Sequence, residues 1–235
     1  PAHENLVIQA LDLFQQHLQE KHGKSFGLSV DLVKRIPAAA GLGGASSDAA
    51  AALVGANRLN GNLLSLEELI FMAAQVGSDV PFFLYQSPAR CQGRGEKVTP
   101  VSSPQPLPVV LVKPTAGLST PSVFGRVAEF GFEDRQSIDD MLQVFTSGDL
   151  SGVGRALHNR LLEPALAVLP ELQGVVHLLQ DFDVAGFQMT GSGSTFFMIC
   201  RHANQAKNLA ARLRQMKLGA VIDTYTIGQP FGCAA

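Results

Sequence analysis

Between residues 4 and 21 the apolar side chains Val7, Leu11, Phe14 and Leu18 recur three or four positions apart and the run stops at Gly23, the spacing of one buried helix face. The period then changes. Phe26, Leu28, Val30 and Leu32 alternate with Gly27, Ser29 and Asp31, which predicts a strand that delivers the chain to a run of glycines. From Ser46 to about Leu59 the pattern is helical again and ends near Asn60-Gly61. Ser65 and Glu68 have the spacing of a capping box for a further helix, with Leu66, Leu69, Ile70 and Ala73 toward the core and Gly77 just past its end.

Pro81 to Tyr85 and Pro108 to Lys113 read as short strands, and residues 121 to 130 as a short helix. Between them Pro100 to Pro108 holds four prolines and two serines, too many missing amide donors for regular structure. The later half predicts helices at 137–146, 151–158, 164–180 and 203–216, with strands at 184–189, 195–200 and 220–227. Helices and strands mixed in this way, with a glycine turn at 191–193, suggest an α+β layer, and a junction after Lys113-Pro114 divides the chain into residues 1–113 and 114–235.

With 46% hydrophobic and 16% charged residues over 235 positions, the chain can bury a substantial core. The net charge of −2 comes without a basic block, which excludes a nucleic-acid surface or a polybasic membrane anchor as the main expectation. Cys91, Cys200 and Cys233 are odd in number, far apart and without a CxxC, so neither a disulfide framework nor a zinc site is expected. No apolar run reaches the roughly 18 residues of a membrane span and residues 1 to 20 do not read as a signal peptide, so the expected compartment is the cytoplasm.

Chemistry concentrates in Pro37-Ala38-Ala39-Ala40-Gly41-Leu42-Gly43-Gly44-Ala45-Ser46-Ser47, which runs directly into an alanine-rich helix. Glycines permit positive φ and close backbone approach, and a helix N-terminus offers unpaired N–H groups with a partial positive charge. These are the properties of a phosphate cradle, so a nucleotide is the natural guest. Ser46 and Ser47 can cap the helix or reach a phosphate or Mg²⁺, and Asp48, in the first turn, reads as a cap. The loop satisfies neither the Walker A pattern, having no GK[ST], nor GxGxxG.

The segment resembles the glycine-rich ATP loop of the GHMP small-molecule kinases. Further stretches resemble motifs of that family in the same order: Gly77-Ser78-Asp79-Val80-Pro81-Phe82-Phe83, Gly93-Arg94-Gly95-Glu96, Gly117-Leu118-Ser119-Thr120 with Val123-Phe124, and Thr190-Gly191-Ser192-Gly193-Ser194. The resemblance implies an α+β two-domain fold, a ribosomal-protein-S5-like N-terminal domain followed by a ferredoxin-like C-terminal domain. Within the family it points to the branch whose substrate is 4-diphosphocytidyl-2-C-methyl-D-erythritol, a small molecule, with ATP and Mg²⁺ and no nucleic acid or membrane partner.

Asp79 follows a helix-ending glycine and precedes Val80-Pro81, an arrangement that fixes the backbone around one carboxylate. Read alone it caps a turn; read with the cradle and the family motif it is the catalytic acid–base group, since a kinase needs one beside the attacking hydroxyl. Gly191, Ser192 and Gly193 are either a plain hairpin turn or, as the resemblance implies, a loop that closes on substrate and phosphates. His158, Asn159 and Leu161 fall where the family places one side of the cytidine pocket; Leu161 has no aromatic face, and His158 reads as a surface helix residue.

Family members begin with a segment carrying a Pro-x-Lys-x-Asn strand, which residues 1 to 35 do not contain; His3 belongs to the first helix and Lys34 to the foot of the glycine loop. A chain truncated at the front of its first domain is therefore expected. The expected reaction is phosphorylation of the 2-hydroxyl of 4-diphosphocytidyl-2-C-methyl-D-erythritol. Another GHMP kinase acting on homoserine or mevalonate, and a non-catalytic nucleotide-binding relative, stay open as alternatives.

Overall fold

The computed structural model describes residues 5–103, 105–131 and 137–227. His3 and Glu4, which the sequence places at the start of the first helix, and Cys233 lie outside them. The chain forms two compact units: one takes it up to Ile36 and then Gly43–Val101, the other takes Pro37–Leu42 and resumes at Ser102. The junction expected after Lys113-Pro114 falls at the end of a strand that pairs only with later strands, and the chain contacts break instead at Val101–Ser102.

Helix α1 (Leu6–His22) starts where the Asn5 side chain accepts from the Val7 amide at 3.0 Å and stops where Gly23 turns left-handed and donates to the Gln19 carbonyl at 2.9 Å. Its buried stripe, Val7, Ala10, Phe14 and Leu18, packs on α2 (Gly44–Leu59) and α3 (Leu66–Val76), where Leu53 and Met72 complete the core. The capping box at Ser65 and Glu68 is present, though Leu66 points outward and is half exposed. Asn57 is buried and bonds both the carbonyl (2.8 Å) and the amide (3.0 Å) of Leu64, which fixes the α2–α3 turn.

Two expectations change in this unit. Val80–Tyr85 is a short helix, α4, rather than a strand, because Pro81 sits in the first turn, where its missing N–H has no helical acceptor to lose. The alternating segment 26–32 is irregular and joins no ladder among the described residues; Leu28, Val30 and Leu32 are exposed, and Phe26 turns inward to meet the Phe14 ring edge-on at 5.5 Å. Strands β1 (Ala89–Gln92) and β2 (Lys97–Pro100) form a hairpin around the Gly93 to Glu96 motif, with Cys91 opposite Val98.

The second unit is built on β3 (Pro108–Pro114), β4 (Gly186–Met189), β5 (Phe196–Ile199) and β6 (Gly219–Tyr225), antiparallel in the order β4-β5-β3-β6. Between β3 and β4 come α5 (Thr120–Gly125), a 3-10 turn at Val127–Glu129, α6 (Ile138–Ser147), α7 (Leu150–Ala156), α8 (Leu162–Val168) and α9 (Leu172–Gln180); α10 (Ala203–Gln215) links β5 to β6. A strand, helices, a strand pair, a helix and a last strand in this spatial order make the expected ferredoxin-like βαββαβ topology. Alternate strand residues divide between two cores. Val110, Val112, Phe196 and Met198 pack with Leu172, Leu179, Leu209 and Leu213, whereas Ile199 faces Val153 and Leu107. The helix expected at 164–180 is two, because Pro170 cannot donate an amide and α9 restarts at Leu172.

Helix α7 lies very close to the start of β4: a Cβ on Gly154 would stand 1.7 Å from the Ala185 carbonyl oxygen. This contact leaves residues 157 to 161, which are not helical, beside the end of β4. His158 is therefore in a connecting turn and not on a helix surface as expected.

Candidate active site

Within the second unit two glycine-rich loops meet. A Cβ on Gly41, whose φ is +69°, would stand 2.2 Å from the Thr190 carbonyl oxygen and 2.9 Å from that of Gly193, so both the conformation and the space demand glycine. Thr190 Oγ1 donates to the Gly41 carbonyl at 3.0 Å, and the Thr195 amide donates to that of Ala40 at 3.3 Å. A third loop joins them: Ser194 Oγ donates to the Ala116 carbonyl at 2.6 Å, and the hydroxyls of Thr120 and Ser192 lie 2.8 Å apart. The Gly193 amide is used inside its own turn, on the Thr190 carbonyl at 3.0 Å. The amides of Gly191, Ser192 and Ser194 form no hydrogen bond among the described residues, which leaves them as donors for an anion.

In the first unit α2 opens on the remaining glycines of the run, Gly43 and Gly44. Gly43, at φ +64°, is the N-cap, and a Cβ there would stand 2.6 Å from the Phe83 ring. Because a glycine occupies the cap, no side chain closes this helix, which corrects the capping roles expected for Ser46, Ser47 and Asp48. Ser46 and Ser47 lie inside the first turns, and their hydroxyls bond nothing among the described residues. Asp48 is ion-paired with Lys34, so its charge is offset by a cation rather than by the helix end alone. The leading amides of α2 have no acceptor within the helix, the arrangement that favours a phosphate.

Asp79 is the residue before α4, exposed, and its side chain makes no capping hydrogen bond. The carboxylate is therefore not consumed by its own helix. The β1–β2 hairpin lies against it: a Cβ on Gly95 would stand 3.6 Å from Asp79 Oδ1 and 3.3 Å from the Ser78 carbonyl oxygen. The Cys91 thiol is pushed up by partial burial and, second, by the negative charge of Asp79. Glu96 holds the hairpin turn, accepting from the Arg94 amide at 2.8 Å; its own amide and that of Arg94 keep its carboxyl below the usual range.

On the second unit a cavity of about 620 Å³ opens beside α8. Phe130 and Leu162 give it apolar walls, and Glu129, Arg160 and Glu163 give it charge of both signs. His158 and Gln188 also line it, as does Asn159, whose carboxamide is bonded within the chain. Leu161 does not line it but packs on the core, with its amide donating to Asn159 Oδ1 at 2.9 Å. By resemblance the sequence placed Asn159 at one side of the cytidine pocket; in the structure it donates from Nδ2 to the carbonyls of both Met189 and Gly191, each at 2.8 Å, a role the sequence did not indicate. No group of three or more acidic, histidine or cysteine residues among those described could hold a metal ion. Among the described residues no helix is long and apolar enough to cross a membrane.

Residues 5–87 match the family model of the GHMP kinases N terminal domain, and residues 141–217 that of the GHMP kinases C terminal. A 4-diphosphocytidyl-2-C-methyl-D-erythritol kinase of Geobacillus sp. (strain WCH70) is 36% identical over 214 residues, 90% of this chain and 72% of that protein. The chain belongs to the GHMP kinase family. The enzyme of the same description from Geobacillus thermodenitrificans is 38% identical over 210 residues, 89% of this chain and 71% of its own. A crystal structure of a 4-(cytidine 5'-diphospho)-2C-methyl-D-erythritol kinase superimposes with a TM-score of 0.76 at 32% identity, covering 94% of this chain and 77% of the other. The homoserine kinase of Cytophaga hutchinsonii, at 20% identity and a TM-score of 0.77, shares the GHMP kinase fold. As a GHMP kinase the chain is a phosphotransferase, and ATP is the expected donor.

Proposed function

We propose that this GHMP kinase transfers the γ-phosphoryl group of ATP to the 2-hydroxyl of 4-diphosphocytidyl-2-C-methyl-D-erythritol, a step of the non-mevalonate route to isoprenoid precursors. The observation that carries this reading is identity of 36–38% to curated kinases of that substrate along about nine-tenths of the chain. The site chemistry supports it. Obligatory glycines and the leading amides of α2 in the stretch Pro37 to Ser47 suit the phosphates of ATP, and the free amides of Gly191, Ser192 and Ser194 suit either those phosphates or the substrate diphosphate. Asp79 orients or accepts the proton of the attacking hydroxyl, while positioning and charge neutralisation supply most of the rate.

Mg²⁺ would be held by the phosphates with the Ser46 or Ser47 hydroxyl and would neutralise charge there. The cavity beside Asn159 and Leu162 is the proposed place of the nucleoside part, and the cytoplasm the proposed compartment. For the family domains the proposed division remains 1–113 and 114–235. The test is ATP consumption by the purified chain with the cytidyl substrate, homoserine and mevalonate in parallel. Turnover with the first alone, lost in Asp79→Asn, supports the assignment; turnover with another alcohol overturns it, and ATP binding without turnover favours the non-catalytic reading.

A further inference from the structure

Asn159 occupies a short non-helical run between α7 and α8, and every hydrogen-bonding group of its carboxamide is engaged. Oδ1 accepts from the Leu161 amide at 2.9 Å, two residues on, and the Asn159 carbonyl accepts from the Leu162 amide at 3.1 Å, which together start α8. Nδ2 reaches 30 and 32 residues along the chain to the carbonyls of Met189 and Gly191, both at 2.8 Å. Between those two acceptors stands Thr190, whose hydroxyl holds the Gly41 carbonyl. A Cβ on Gly191 would in turn stand 3.1 Å from that same oxygen. One planar amide thus sets the backbone on either side of the residue that joins the late glycine loop to the cradle, while its own flank lines the cavity.

We infer that Asn159 is a positioning residue: it holds the loop Thr190–Thr195 so that the free amides of Gly191, Ser192 and Ser194 converge on an anion, and it links that loop to the cavity wall at the start of α8. It touches no reacting atom, and its part in phosphoryl transfer rests on the function proposed above. An amide side chain is required, because only it offers two N–H donors to carbonyls and one acceptor to an amide at the same point. A carboxylate of the same shape would place negative oxygen against two carbonyl oxygens.

The test compares the full chain with Asn159→Asp and Asn159→Ala. Amide hydrogen exchange is read in the ligand-free protein, and KM and kcat are read for ATP and for the cytidyl substrate. Loss of the two Nδ2 hydrogen bonds is expected to speed exchange of the bonded loop amides, Thr190, Gly193 and Thr195, about tenfold, with exchange in β3 and α10 unchanged. The KM for both substrates is expected to rise by about the same factor, with a smaller fall in kcat. Unchanged loop exchange in either folded variant overturns the inference, and so does acceleration spread equally over β3 and α10, the mark of a merely structural role. Should Asn159→Asp not fold, Asn159→Ala decides alone. A wild-type chain that fails to turn over the cytidyl substrate defeats the proposed function, while the exchange comparison still decides this inference.

Discussion

Asp79 and Asp48 are both carboxylates at the front of a helix, and the neighbours separate them. Asp48 has a cation, Lys34, close beside it, whereas Asp79 has a glycine hairpin, a thiol whose ionisation it opposes, and no cap to make. Asp79→Asn keeps the shape and removes the base, so kcat is expected to fall by about 10²- to 10⁴-fold with little change in KM or in the circular dichroism spectrum. Gly41→Ala is expected to abolish ATP binding in calorimetric titration, because the added methyl would occupy the place of the Thr190 carbonyl. The two glycine loops were legible in the sequence because glycine is written wherever backbone must approach backbone. Asn159 was not, since its partners lie 30 residues away and no local pattern reports a long-range side-chain donor.

At the scale of elements, local signals were reliable where the partner is local. The capping box at Ser65 and Glu68 and the glycine stop of α1 are where the spacing put them. Alternation at 26–32 and the aromatic run at 81–85 misled, because period two needs a neighbouring strand to become a ladder and proline is equally at home in a helical first turn. Glu68 carries more than its cap. Lys21 first, then the Ser65 amide and His17, hold its carboxyl far below its ordinary 4.5. A folded-state value depressed in this way gives stability that is complete above pH 4.5 and is lost as pH falls below it toward the folded value. Lys21 is half exposed, so solvent screens the gain. Thermal unfolding of Glu68→Gln is expected to show a shallower loss between neutral and acid pH than the parent. Asn57→Ala leaves the Leu64 amide and carbonyl buried without partners and is expected to cost about 1–3 kcal/mol in denaturant unfolding, with activity retained at low temperature.

For the whole molecule, the ferredoxin-like half was legible because its strands and helices follow one another with short connections, and the family resemblance supplied the order the periodicity could not. The boundary was less so: β3 looks in sequence like the end of the first half, but its ladder partners β5 and β6 are more than 80 residues further on. A nucleotide that binds the folded chain and not the unfolded one must raise its melting temperature with concentration, so Mg²⁺-ATP is expected to do so and CTP to do so less. The exposed apolar run from Phe26 to Val33 has another effect at this scale. Leu28, Val30, Leu32 and Val33 are exposed side by side with no ladder partner among the described residues, and nothing in that stretch is a proline. Such a run is a template for any extended peptide, including the same run on another molecule. Val30→Lys is expected to slow the growth of scattered light on concentration while leaving ATP binding as it was.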